Sequence, residues 1–290
     1  VHSHSIAIGI GAVASKLAGI RHVWHLHEQG AYSQSPDRYI YDLGESLSLC
    51  IARWSGSHFI AVSKEIGSLY REHLSGPTVD VLYQSVTIDL KPAEVDAEKL
   101  DRLTTWSGHK LVVVGSLQHS KGQETVVRAL PQVIREYPDA RLFLIGDDPI
   151  GLGSELEVLA EALGVGRHLV RLGPMKNAVP AIASADIIIV AAVAEGFGRV
   201  AVEAIMMERP VVAAATPVNR EVLNDTHGAL FIPLDAEDLA SKVLSVLFQS
   251  KEERAEKTNR ARSYAVSMFS EPACARALEE KLRELIEPTN

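Results

Sequence analysis

The chain has 290 residues, of which 47% are apolar, 23% charged and 6% aromatic. That composition supports a buried core and excludes a disordered or fibrous chain, and the length predicts about two domains at roughly 100–200 residues each. The formal net charge of −8 argues against nucleic-acid binding, which needs a basic footprint.

Two cysteines, Cys50 and Cys274, stand in no metal-ligand spacing. Neither a disulfide framework nor a structural zinc site is expected, and a reducing cytoplasm is the default compartment. No apolar run reaches the roughly 20 residues of a membrane-spanning helix. The run from Ile6 to Ala14 is interrupted by Gly9 and Gly11 and has no positive residue before it. It reads as a helix start and not as a signal peptide.

In chain order, buried strands are expected at His22–Leu26, Ser57–Val62 and Thr78–Tyr83, with helices over Tyr39–Trp54 and Lys64–Leu74. Ser85–Gly108 is polar, contains Pro92, and reads as a linker with a short helix. The second half alternates more cleanly. Strands are expected at Lys110–Gly115, Ala140–Gly146, His168–Leu172, Asp186–Ala191, Pro210–Ala214 and Ala229–Ile232. Gln123–Tyr137 is a helix, and Leu152, Leu156, Leu159 and Leu163 recur at helical spacing before Gly164. From Asp235 onward the chain reads as helical, broken near Ser250 and Glu271–Pro272. Strands apolar on both faces, alternating with helices, imply doubly wound α/β domains with parallel sheets. Ligands of such folds bind at the carboxyl ends of the strands, so the cleft between two domains is the default site.

The strongest constellation follows the expected strand Asp186–Ala191 and runs Glu195-Gly196-Phe197-Gly198-Arg199-Val200-Ala201-Val202-Glu203. Its two glutamates are eight positions apart, one in the loop and one about a turn into the next helix. The glycines permit close backbone approach, and the amides near Gly198–Val200 offer a helix-terminal phosphate site. Glu203 can accept hydrogen bonds from vicinal hydroxyls such as those of a ribose, and Glu195 can bind sugar hydroxyls. A capped helix with two solvated glutamates explains the spacing equally well. A second loop, Gly115-Ser116-Leu117-Gln118-His119-Ser120-Lys121-Gly122, places Lys121 as a point charge for phosphate. Asp147-Asp148-Pro149 reads as a turn rather than a metal pair.

Five of the eleven histidines fall in the first 27 residues, as His2, His4, His22, His25 and His27. Two His-x-His pairs that converge would suit a metal, but strand alternation alone puts His25 and His27 on one face, and no metal is expected. His27 ends a strand and is a candidate cleft residue, and His4 is a weaker one. Gly9-x-Gly11-x-x-Ala14 fits a dinucleotide pattern, but no acidic residue ends a strand at the required distance. Small residues where a helix packs on a sheet explain it better.

Taken together, E-G-F-G-R-V-A-V-E-A, V-G-S-L-x-x-x-K-G, L-I-G-D-D-P, L-G-x-x-x-x-x-V-P-A-I-A-S-A-D-I-I-I-V and R-P-V-V-A-A resemble the retaining GT-B glycosyltransferases of family 4, in family order from about Lys110 to Leu247. V-H-S-H-S, V-W-H-L-H-E and F-I-A-V-S-K match more loosely. The resemblance implies two Rossmann-like doubly wound domains: a partial acceptor-side domain and linker at 1–95, a donor domain at 96–270 and a terminal helix at 271–290. It implies that Glu203 holds the ribose. Lys121 and the amides near Gly198, Arg199 and Val200 would meet the diphosphate, with Ser116 beside them. The backbone near Leu172–Met175 would meet the base, and Glu195, Gly196 and Phe197 would lie beside the donor sugar. His27 would orient the acceptor or stabilise charge near the anomeric carbon, so Glu195 and His27 are the catalytic candidates. The partners implied are a nucleotide-sugar donor and a glycan, lipid-linked or small-molecule acceptor, with no cofactor, no metal and no nucleic acid. A cytoplasmic location, with peripheral contact at the inner face of the membrane, fits such acceptors.

The chain departs from the family pattern in places. Ser116 stands where the family usually has arginine, Thr216–Glu221 replaces a glycine pair before a glutamate, and Tyr83-Gln84-Ser85 replaces Pro-Asn-Gly. Val1 aligns inside the family's N-terminal domain, so either the natural protein extends upstream or this chain is not a working transferase in isolation. A sugar-nucleotide-binding scaffold and a sugar-nucleotide epimerase stay open as alternatives, with a nicotinamide-dependent oxidoreductase behind them.

Overall fold

The computed structural model describes residues 1–6, 9–27, 44–74, 78–88 and 96–286. The chain divides into two compact units. Val1–Ser85, Ala194–Phe197 and Met268–Asn290 form unit 1, and Val86–Val193 with Gly198–Ser267 form unit 2.

Unit 1 opens with β1 (His2–His4), α1 (Ile10–Ala18), β2 (Val23–Leu26), α2 (Glu45–Ser55), β3 (His58–Ala61), α3 (Lys64–Leu74) and β4 (Val79–Val81). The four strands form one parallel sheet in the order β1-β2-β3-β4. Its core is built on Trp24, Leu26, Phe59, Ile60, Ile66 and Tyr70, all buried. A Cβ on Gly11 would come within 2.3 Å of Ser3 Oγ, so the Gly-x-Gly-x-x-Ala run serves close packing of α1 on β1. The expected helix Tyr39–Trp54 is α2, and its first residues, 39–43, lie outside the described residues.

Unit 2 contains α4 (Ala97–Thr104), β5 (Lys110–Val114), α5 (Gln123–Glu136), β6 (Arg141–Ile145), α6 (Leu152–Ala162), β7 (Leu169–Gly173) and α7 (Val179–Ser184). It continues through β8 (Ile187–Val190), α8 (Arg199–Met206), β9 (Val211–Ala214), α9 (Pro217–Val222), β10 (Ala229–Phe231), α10 (Ala236–Leu247) and α11 (Lys251–Phe269). The last helix, α12 (Glu271–Ile286), belongs to unit 1. Of the expected linker Ser85–Gly108, residues 89–95 lie outside the described residues, and its short helix is α4. Two helices, α7 and α9, were not foreseen. Each has only six residues with proline near its start, too short for a helical period to show.

The six strands of unit 2 are all parallel, in the order β10-β9-β8-β5-β6-β7. The chain winds outward from β5 through β6 to β7, then returns to the other side of β5 as β8. The winding direction therefore reverses between β5 and β8, which opens a crevice at the carboxyl ends of these two strands. Every residue of β8 and β9 is buried, as helices on both faces of a parallel sheet require.

The two strands meet closely where their loops leave. Gly122, at φ +68°, has no room for a side chain, because a Cβ there would fall 2.2 Å from Ala191 O. Gly164 has a similar φ of +71° but faces open space. Alanine at Gly164 costs only the backbone strain, whereas alanine at Gly122 must also push β8 from β5. Gly122→Ala is expected to lower stability by about 1–3 kcal/mol more than Gly164→Ala. Urea unfolding of the two variants checks this, and equal midpoints would contradict the close approach.

Candidate active site

The loop after β5 is held by backbone contacts that leave little freedom. A Cβ on Gly146 would lie 2.0 Å from Gly115 O, so the loops after β5 and β6 run almost in backbone contact. Gly115 N–H donates to Ile145 O and Leu117 N–H to Asp147 O, both at 2.8 Å. Gln123, 1% exposed at the start of α5, donates from Nε2 to Ser116 O at 2.9 Å. The chain then turns through a 3₁₀ turn, His119–Lys121, which places Lys121 on the last residue before Gly122.

The loop after β8 is tied to this one. Val193 N–H donates to Ser120 O at 2.9 Å. Beyond it, Gly198 adopts φ +78° and starts α8 with no side-chain cap, so the first-turn amides at Arg199 and Val200 keep the anion-binding character of an open helix terminus. Glu203 lies one turn in. It is 6% exposed, flanked along α8 by buried Ala201, Val202, Ala204 and Ile205. A buried carboxylate needs a charged or hydrogen-bonded partner, and Arg199 Nε donates to Glu203 Oε1 at 2.7 Å. The Arg199 side chain is 63% exposed, so the pair opens outward.

Farther along the same rim, a cavity of about 320 Å³ is lined by Leu117, Gly146, Asp148, Arg171, Leu172 and Pro174, among others. Leu172 has a buried side chain, so it has mainly backbone to present, and Met175 lies half-buried just beyond. Asp148 Oδ2 accepts from Arg171 and from Gly153 N–H, each at 3.0 Å. That engagement gives Asp148 a structural role at the start of α6.

Other residues singled out in the sequence fall in unit 1. Gly196 O accepts from Ser63 Oγ at 2.7 Å, just past β3. Phe197 is 4% exposed and packs against Tyr83 and Phe269, with ring centroids 6.4 and 5.6 Å away. Its ring is therefore core, and only its backbone is left for a ligand. Glu195 and His27 are both half-buried. His4 Nδ1 and His27 Nε2 lie 3.0 Å apart, one ring donating and the other accepting. Sequence reasoning missed Ser63, Gln123 and Asn219. Asn219 is fully buried and donates from Nδ2 to Ala214 O at 2.9 Å, and a Cβ on Gly198 would be 3.4 Å from its Oδ1. The available signal was position: each of the three follows a strand end.

The family described as Glycosyl transferases group 1 matches residues 108–249. Residues 108–249 are thus similar to a glycosyl transferases group 1 domain. This domain spans β5 through α10, including both loops of the switch. It is similar to phosphatidyl-myo-inositol mannosyltransferase of Mycolicibacterium smegmatis, 31% identical over 131 residues, covering 44% of this chain and 33% of that protein. It is also similar to D-inositol 3-phosphate glycosyltransferase of Corynebacterium jeikeium, 37% identical over 111 residues, covering 36% of this chain and 26% of that one. The matched stretch spans about a third of the length of these curated relatives. Among solved structures, HepE from Anabaena in complex with UDP superposes with a TM-score of 0.79 at 24% identity, over 94% of this chain and 75% of that one. Sucrose-phosphate synthase from Thermosynechococcus elongatus superposes at 0.78 and 21%, over 98% and 73%. The fold is GT-B, and the residues that match the glycosyl transferases group 1 family carry the six-stranded sheet.

Titration separates the histidines of unit 1. Burial, more than neighbouring charge, lowers His22 to about 4 and His25 to about 3. In the unfolded chain both protonate near pH 6.5. Between about pH 6.5 and pH 4 the unfolded state therefore binds more protons, and stability present above pH 6.5 is lost as pH falls through this window. Each histidine contributes a slope of about 1.4 kcal/mol per pH unit. Replacing His22 with Gln removes one titrating group. Unfolding free energy measured from pH 6.5 to 4.5 is expected to lose about one proton's slope in that variant, and an unchanged slope would contradict a neutral buried His22.

Proposed function

We propose that the chain is a retaining glycosyltransferase that moves a sugar from a nucleoside diphosphate sugar to an acceptor hydroxyl. The observation that carries this reading is the buried Glu203, one turn into an uncapped helix at the reversal point of a parallel sheet. A carboxylate so placed suits the two hydroxyls of a ribose, while the helix terminus suits the phosphates next to it. The relatives that share this domain are named as glycosyltransferases, and the cavity beside Leu172 and Pro174 offers room for a base.

On this reading Lys121 and the amides of Arg199 and Val200 stabilise the departing diphosphate without a metal there. The leaving diphosphate takes the proton of the acceptor hydroxyl on the same face of the sugar, so the new glycosidic bond keeps the anomeric configuration. Glu195 and His27 position the sugar and form no covalent bond to it. The acceptor is a glycan, a lipid-linked molecule or a small molecule. The free cysteines Cys50 and Cys274 fit a reducing cytoplasm. Among the described residues no helix is long and apolar enough to cross a membrane. A second reading, a nucleotide-sugar-binding scaffold, draws support from Ser116 and from Arg199, whose guanidinium is paired with Glu203. It leaves Lys121 as the main positive charge for the diphosphate.

Calorimetric titration with UDP, GDP and ADP tests the donor site, with UDP first because HepE was solved with it. One nucleotide is expected to bind, and Glu203→Ala to weaken it about 10- to 100-fold, the worth of hydrogen bonds to a charged acceptor. Equal affinity in the variant would overturn the ribose assignment. Transfer or donor hydrolysis separates the two readings. Lys121→Ala is expected to lower turnover about 100-fold, whereas a scaffold binds the nucleotide and turns over no donor at all.

A further inference from the structure

The first two strands of unit 1 bring two His-x-His pairs onto one face. β1 and β2 run parallel with His4 opposite His25, and alternation places His2, His4, His25 and His27 on the same side of the sheet. Ring centroids are 4.4 Å apart for His2 and His4, 5.2 Å for His4 and His25, and 5.5 Å for His2 and His25. One ring nitrogen from each of His2, His4 and His25 lies within 4.8 Å of the other two.

His25 is the informative member. It is 9% exposed, and among the described residues neither of its ring nitrogens has a hydrogen-bond partner. Leaving a buried polar group unpaired costs about 1–3 kcal/mol, and ring stacking does not satisfy nitrogens that lie in the ring plane. His22, on the opposite face, shows what a histidine built into this core looks like. Its Nδ1 meets Ser57 Oγ at 2.7 Å and its Nε2 meets Ser3 Oγ at 2.9 Å.

We propose that His2, His4 and His25 bind a divalent transition metal of the zinc class through three imidazole nitrogens. Imidazole donors suit zinc, copper and nickel, and three protein ligands with a fourth position left for water or another ligand make an open zinc site. Bonds of about 2.0–2.1 Å at tetrahedral angles put ligand nitrogens about 3.3 Å apart, which side-chain rotation reaches from the observed spread. The hydrogen bond between His4 Nδ1 and His27 Nε2 leaves Nε2 of His4 for the ion and, with Nδ1 as the donor in the metal-bound form, supplies the outer partner that such an imidazole requires. His2 and His4 are exposed, which gives the ion a route in. The site lies within unit 1 and does not rest on the transferase reading.

The test uses the whole chain, stripped with a chelator that is then removed. It is titrated with zinc chloride by calorimetry and with cobalt(II) by visible absorption. One ion per chain is expected, with the strong visible bands of four-coordinate cobalt. His2→Ala and His4→Ala, both exposed positions, are each expected to weaken zinc at least tenfold and remove the bands. His58→Ala, a half-buried histidine outside the cluster, is expected to change neither. Absence of stoichiometric binding would overturn the proposal, as would binding that survives both cluster substitutions.

Discussion

The close approach of the loops after β5 and β8 is the constraint on which the rest of unit 2 depends. Two adjacent parallel strands whose chains wind off in opposite directions leave a crevice at their carboxyl ends. Here that crevice is drawn tight by a missing side chain at Gly122, against Ala191 O, and by the hydrogen bond from Val193 to Ser120. Neither contact involves a catalytic candidate. Together they fix where Lys121 leaves one loop and where Gly198 begins α8 from the other. The position of the charged groups is thus a consequence of backbone packing.

Glu203 gives that geometry its chemical character. Along α8 nearly every neighbour is alanine, valine, isoleucine or methionine, and a carboxylate in such company is costly unless paired. Arg199, one turn earlier and largely exposed, supplies the pair. The arrangement keeps a hydrogen-bond acceptor at the edge of the core with its partner facing outward. It also bears on Ser116, where the family usually has arginine, because the Arg199 side chain does not stand free to replace that charge. Its guanidinium is paired with Glu203, so on the proposed reading the phosphates depend more heavily on Lys121 and on backbone amides.

Much of the fold of unit 2 was legible because its strands are continuous apolar runs, Lys110–Val114 and Ile187–Val190 among them, and because glycines punctuate their ends. The site loops were legible for the same reason, since a strand end followed by Gly and a charged residue is a local pattern. What was not legible depends on register or on distant partners. α7 and α9 are too short for periodicity. Phe197 reads as a ligand-facing residue in its motif, yet its ring belongs to the core with Tyr83 and Phe269, which lie 114 residues before it and 72 after it in the sequence. Ser63 and Gln123 became visible only as hydrogen-bond partners of the loops. The two His-x-His pairs could have faced apart. Only the pairing of His4 with His25 across β1 and β2 shows that they converge.

Hydrogen exchange of the chain with and without a saturating nucleoside diphosphate tests the central claim most directly. The account predicts slowed exchange in two separate peptides, 115–123 after β5 and 198–204 at the start of α8, with no change at the opposite ends of β9 and β10 near Arg209 and Gly228. Protection confined to that opposite end, or protection in only one of the two loops, would contradict a donor site at the reversal of the sheet.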